Sequence, residues 1–219
     1  MFSAILWDND GTLVDTEPLY FRATREVLAT VGVELTEALF IRICLGEGTS
    51  MFDLALERGI DQAHVERLRE RRNQRYAELL DGGVAVRSGI RECLAALSGQ
   101  LRMGIVTSSM RDHFTRMHTQ TQLLSHFEFV LTREDFTLTK PAPDSYLTAA
   151  ERHDLEPARC LVVEDSRRGV IAAKRAGMQC WILPTSLMPR GGFPEADRVL
   201  SSARELQDEV LALLGPCSR

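Results

Sequence analysis

The apolar run Ala4 to Trp7 stops at two carboxylates one residue apart, Asp8 and Asp10, followed by Gly11-Thr12. This stretch constrains the fold more than any other. Four contiguous apolar residues read as a buried strand. Extended backbone sends residues i and i+2 to the same side, so Asp8 and Asp10 point into one site just past the strand end. Gly11 then permits a sharp turn. Like charges this close repel unless a cation lies beside them or one holds a proton. A hard cation such as Mg²⁺ takes one or two carboxylates together with a substrate phosphate. One carboxylate can then act as a nucleophile and the other as a proton carrier. Asp, Asn and Gly are also ordinary turn formers, so the short string alone fits a capped turn as well.

The rest of the chain has two textures. Residues 16–83 read as helical throughout. A helix entered through Thr16 and Pro18 runs to Val31 and ends at Gly32, with Thr16 as its N-cap. Further helices fit 36–44, 50–58 and 61–80, and the turn Asp81-Gly82-Gly83 closes the block. From Val84 on, short apolar runs alternate with helical stretches. Strands fit 103–106, 127–131, 160–163 and 181–183. Helices fit 89–98, 111–122, 144–153, 169–176 and 203–214. Such alternation predicts an α/β fold with a doubly wound parallel sheet. The expected organisation is an α/β core from residues 1–15 and 84–219, with an α-helical cap domain, 16–83, inserted after the first strand.

Ligands of doubly wound sheets bind at the carboxyl ends of the strands, so the residues after each strand carry the information. After Val106 come Thr107, Ser108 and Ser109, suited to a phosphate oxygen or to a helix cap. Lys140 precedes Pro141-Ala142-Pro143. An isolated lysine is ordinarily a solvated charge, but rigid backbone can hold one in place. After Val163 come Glu164, Asp165 and Ser166, natural ligands for Mg²⁺ or an N-cap for the next helix.

Taken together and in this order, D-x-D-G-T-L-x-D-T-E, the hydroxyl after the second strand, K-P-A-P-D and V-E-D-S-x-x-G-x-x-A-A-x-x-A-G-M resemble the four motifs of the haloacid dehalogenase (HAD) superfamily. They resemble in particular its helical-cap branch of β-phosphoglucomutase-like and phosphoglycolate phosphatase-like hydrolases. The resemblance implies a Rossmannoid core. It implies Asp8 as nucleophile, Asp10 as general acid and base, Thr107 and the Ser108 amide as phosphate binders, and Lys140 as the charge balancing Asp8 and the phosphoryl group. It implies Mg²⁺ held by the Asp8 side chain, the Asp10 carbonyl and Asp165, with Glu164 a second acidic ligand, direct or through water. Substrate choice then falls to the cap. There Arg72 and Asn73, in a helix also carrying Arg69, Arg71 and Arg75, are the candidates for reaching the substrate, together with the turn Gly46 to Ser50.

The implied activity is Mg²⁺-dependent hydrolysis of a small phosphate monoester, a sugar phosphate or phosphoglycolate, through an aspartyl-phosphate. A phosphosugar mutase is the alternative. The mutases carry a histidine where this chain has Tyr20, and a cap arginine where it has Thr49 or Ser50. A binding module on the same fold is the further alternative, but none of Asp8, Asp10, Lys140 and Asp165 is lost.

A net charge of −5 with no run of like charge gives nucleic acid no purchase. No apolar run is long enough to span a bilayer, and no secretory leader is evident. The five cysteines form no C-x-x-C pair and read as reduced, buried thiols of a cytoplasmic protein. The histidines lack zinc spacing. Met110, Met117 and Phe114, Phe127, Phe129 and Phe136 read as core, and 189–194 as a surface loop. The expected partner is a small phosphorylated metabolite, and the expected assembly a monomer or weak homodimer.

Overall fold

The structure, a computed structural model, describes residues 1–43, 49–185 and 193–215. Six parallel strands form the main sheet in the order β5-β4-β1-β6-β7-β8. They are β1 (Ala4–Trp7), β4 (Arg102–Val106), β5 (Phe129–Leu131), β6 (Cys160–Glu164), β7 (Gln179–Ile182) and β8 (Arg198–Val199). The Asp-containing strand is thus central. Ala4 to Trp7 pair with Arg102 to Ile105 on one side and with Cys160 to Val163 on the other. That register sets the ends of β1, β4 and β6 side by side.

Both sheet faces are buried, which is why these strands read as continuous apolar runs rather than alternating ones. Ile5, Trp7, Met103, Ile105, Leu161 and Val163 pack on one face against α5 (Ile90–Leu97) and α9 (Ala203–Leu214). Ala4, Leu6, Val106, Cys160 and Val162 pack on the other against α7 (Asp144–Arg152) and α8 (Arg167–Arg175). Gly104 leaves room for the Phe129 ring, which a Cβ there would meet at 2.2 Å. Cys93, Cys160 and Cys180 are unpaired and buried, as expected. Cys44 and Cys217 lie outside the described residues.

A two-stranded antiparallel ribbon, β2 (Val14–Asp15) with β3 (Ala85–Val86), joins the sheet to the helical block. Two-residue strands carry no periodicity, so this ribbon leaves no signature in the amino-acid pattern. The same holds for edge strand β8. Within the block are α1 (Glu17–Ala29), α2 (Glu37–Phe40), α3 (Asp53–Glu57) and α4 (Gln62–Leu80). They enclose an apolar cluster of their own that includes Val27, Leu28, Phe40, Phe52, Val65 and Leu68. No helix among the described residues is long and apolar enough to cross a membrane.

Several local expectations need correction. Thr16 does not cap α1: its hydroxyl donates to Asp10 Oδ1 at 3.0 Å, and its backbone is already helical. A stronger, charged acceptor has taken the side chain. Helix α8 begins at Arg167 rather than Gly169, because Ser166 Oγ accepts from the Gly169 amide. Helix 111–122 shortens to α6 (Arg111–His118), and Gln122 adopts a φ of +56°. Helix 50–58 shortens to α3. The turn at Gly46 to Gly48, the end of helix 36–44 and residues 189–192 lie outside the described residues. Met110 is not core: it is 38% exposed and faces Asn73 across the groove between α4 and α6.

Candidate active site

Asp8 follows β1 directly, and its amide donates to the Val163 carbonyl of β6, extending the sheet by one step. Its carboxylate turns toward Lys140, whose Nζ lies 2.6 Å from Asp8 Oδ1, 2.7 Å from Glu164 Oε1 and 3.1 Å from the Val106 carbonyl. Lys140 is only 5% exposed. The isolated lysine of the sequence is therefore a buried countercharge, not a surface one.

Asp10 has its own set of partners. Its Oδ2 accepts from Ser109 Oγ at 2.7 Å and Thr107 Oγ1 at 3.1 Å, and its Oδ1 from Thr16 at 3.0 Å and Tyr76 at 3.5 Å. Thr107 is buried, while Ser108 is exposed with its amide unengaged among the described residues. Ser109 is the stronger partner of Asp10 and was not singled out from the sequence. Nothing in a Thr-Ser-Ser run says which hydroxyl turns inward.

Glu164 and Asp165 end β6 and behave differently. Glu164 is fully buried and fully used. Its Oε1 accepts from Lys140 and from Tyr146 Oη at 2.8 Å, and its Oε2 from Ser166 Oγ and the amides of Asp165 and Ser166. The Asp165 carboxylate accepts no hydrogen bond among the described residues. It packs so closely on the first motif that a Cβ at Gly11 would lie 2.0 Å from Asp165 Oδ2.

The electrostatics call for a further positive charge. Asp8, Glu164 and Asp165 each offer an oxygen within 4.8 Å of the others; the Lys140 ammonium reaches only Asp8 and Glu164, and Asp165 has only the more distant charge of Arg87. Burial, then the facing carboxylates Glu164 and Asp10, raise Asp8 well above the carboxylate range, although Lys140 opposes this. Burial, then Asp8 and Glu164, do the same to Asp165. Buried carboxylates that would otherwise hold protons are what a hard divalent cation stabilises as anions. The donor set is all oxygen, which suits Mg²⁺.

The helical block closes one side of the site. Tyr76 reaches Asp10 from α4, and Arg72, one turn earlier, shares that helix face. The Arg72 guanidinium lies over the Tyr20 ring at 4.4 Å and near Phe52 at 5.5 Å. It donates to the Tyr20 hydroxyl and, at 2.9 Å, to Asn73 Oδ1. Asn73 faces the exposed Met110 ahead of α6, and its carbonyl lies 3.2 Å from His113 Nε2. Arg69 pairs with Glu66 along α4 and donates to Ser50 Oγ at 3.1 Å, and Arg75 pairs with Glu26 of α1 at 2.6 Å. Arg87, just after β3, ties the β2–β3 ribbon to the site by donating to the carbonyls of Gly11, Leu183 and Pro184.

The chain is similar to known proteins over most of its length. The family model for haloacid dehalogenase-like hydrolases matches residues 5–183. The chain is 33% identical over 182 residues to the phosphorylated carbohydrates phosphatase of Thermotoga maritima, covering 80% of this chain and 82% of that one. It is 32% identical over 212 residues to hexitol phosphatase B of Escherichia coli K12, covering 93% of each. The crystal structure of CbbY from Rhodobacter sphaeroides in complex with xylulose-(1,5)bisphosphate superposes with a TM-score of 0.78 at 26% identity, covering 94% of this chain and 96% of that one. With the motifs at the ends of β1, β4 and β6 all inside the matched span, the chain belongs to the haloacid dehalogenase-like hydrolases and is a phosphatase hydrolase among them.

Proposed function

We propose that the chain hydrolyses a small phosphorylated carbohydrate or similar phosphate monoester by way of a phosphorylated Asp8. The observation that carries this is the buried Asp8–Lys140–Glu164 arrangement beside Asp165 at the ends of β1 and β6. Residues 16–83 are proposed as the cap over a core of 1–15 and 84–219.

Asp8 and Asp165, with the Asp10 carbonyl, would hold Mg²⁺. Glu164 contributes mainly by fixing Lys140, since its oxygens are already engaged. When bound, Mg²⁺ neutralises charge on the phosphoryl oxygens. Lys140 holds the Asp8 carboxylate and balances the incoming phosphoryl group. The Ser108 amide binds a phosphoryl oxygen, and Thr107 does so when its hydroxyl turns from Asp10 to the phosphoryl group, leaving Asp10 to Ser109, Thr16 and Tyr76.

An Asp8 oxygen attacks phosphorus, the ester P–O bond breaks, and Asp10 protonates the leaving oxygen. Asp10 then takes a proton from water, which attacks phosphorus, and the bond to Asp8 breaks to release phosphate. Arg72 and Asn73 reach for the rest of the substrate. Arg72 is pre-oriented by Tyr20 and Phe52 for a polar or anionic group there.

The test is hydrolysis of p-nitrophenyl phosphate with and without Mg²⁺, followed by a panel of phosphorylated metabolites including glucose 1-phosphate isomerisation. Asp8→Asn is expected to abolish turnover. Full activity in that variant, or activity indifferent to Mg²⁺, would overturn the reading.

A further inference from the structure

Behind the acid–base residue lies a buried chain of hydrogen bonds that the mechanism above does not use. Asn9 sits between the two catalytic carboxylates and is wholly buried. Its Oδ1 lies 2.8 Å from His118 Nε2, and His118 Nδ1 lies 2.7 Å from Thr121 Oγ1. The Asn9 amide nitrogen lies 3.3 Å from Asp10 Oδ2 and 3.1 Å from Met117 Sδ. His118 and Thr121 are also buried.

The chemistry of these partners fixes the direction of every bond. Asn9 can donate only through its nitrogen, and both atoms in reach of that nitrogen are acceptors. Its oxygen must therefore accept, so His118 Nε2 carries a proton. His118 Nδ1 then accepts from the Thr121 hydroxyl, which gives the neutral ring one defined tautomer. The ring is held neutral by burial, which lowers its pKa to about 4. Phe114 lies against the ring with centroids 4.5 Å apart and leaves it little freedom.

We infer that His118 and Asn9 are positioning residues that aim the Asp10 carboxylate for proton transfer. The inference rests on the proposed role of Asp10 as general acid and base. Asp10 Oδ2 receives Asn9 from behind and Ser109 and Thr107 from the β4 side. Those three donors together define where its lone pairs point. A side chain at position 9 that could only pack would fill the space and leave that orientation to the hydroxyls of Ser109 and Thr107 on Oδ2 and of Thr16 and Tyr76 on Oδ1, with no donor from behind.

The experiment compares kcat/KM for two substrates in the same preparation: p-nitrophenyl phosphate, whose leaving group departs without a proton, and an alkyl phosphate, whose leaving oxygen needs one. Their ratio does not depend on the fraction of enzyme folded, so a destabilised variant still reports. Asp10→Asn, His118→Leu, Asn9→Leu and His118→Gln are measured. The Gln amide can replace the Nε2–H donor.

Expected in Asp10→Asn is a loss concentrated on the alkyl phosphate. His118→Leu and Asn9→Leu should show a smaller loss of the same kind, about tenfold, a fraction of the 10²–10⁴-fold that general acid catalysis contributes. His118→Gln should restore most of it. If Asp10→Asn is selective but His118→Leu loses both substrates equally, or neither, the positioning inference is wrong. If Asp10→Asn itself is not selective, the assignment of Asp10 fails, and the inference with it.

Discussion

Replacing Lys140 with Met removes one charge from a place that has few to lose. The ammonium is 5% exposed and serves Asp8 at 2.6 Å and Glu164 at 2.7 Å. Met nearly fills the same volume, so the cavity contribution is small. What remains is two buried carboxylates without their cation. Breaking a buried pair this way costs about 3–5 kcal/mol. For a chain of this size each kcal/mol moves Tm by about 2–4 °C, so the melting temperature should fall by roughly 6–20 °C.

The deficit must also depend on pH. Asp8 is already raised by burial, and Lys140 is what holds it down. Without Lys140 its folded pKa rises further. A raised folded pKa means stability present at low pH and lost as pH climbs through the folded value. Lys140→Met should therefore approach the wild type near pH 4 and fall away toward neutrality. Denaturant melts in EDTA from pH 4 to 8 measure this. Adding Glu164→Gln to Lys140→Met should recover part of the loss at pH 7.5, because one orphaned charge is gone. A Lys140→Met protein within about 1 kcal/mol of wild type at pH 7.5 would show that these carboxylates do not rely on a buried ammonium.

Two other perturbations test the same frame. Gly169→Ala should be harmful although Ala is the better helix former by about 1 kcal/mol. The new Cβ would lie 1.8–2.1 Å from all three carboxylate atoms of Glu164. We expect a lower Tm and at least tenfold lower turnover, and a stabilised, fully active variant would contradict the placement of Glu164. Glu17 is pushed from 4.5 up to about 7, chiefly by burial. The stability carried by its protonated form is present below about pH 4.5 and lost as pH rises through about 7. Glu17→Gln, always neutral, should be more stable than wild type at pH 8, by about 3 kcal/mol at most, and equal to it near pH 4. Identical melting curves at pH 8 would refute this.

The motifs were readable because each is a contiguous string, three of them directly at the ends of the buried strands β1, β4 and β6 and the Lys140 string in the loop between β5 and α7. In a parallel sheet covered on both faces, strand ends meet at one edge, so local strings imply one site. Asp8, Asp10, Thr107, Lys140, Glu164 and Asp165 do converge there. The readings that missed concern side chains with two possible partners. Thr16 satisfies every local rule for an N-cap, yet its hydroxyl serves Asp10. Met110 has the composition of a core residue and lies exposed against Asn73. Ser109, Tyr146 and Arg87 gave no local sign of their roles.

The chain's order of apolar runs, glycines and acids already dictated a doubly wound sheet, the edge where its chemistry gathers, and the residue types that carry it. Which donor meets which acceptor was settled only on folding. Asn9 and His118 are 109 positions apart, and Lys140 and Asp8 are 132 apart. Hydrogen bonds and ion pairs are short-ranged and directional, so no nearby residue encodes such a pairing. It exists only once strand register and helix packing have brought the two side chains within reach.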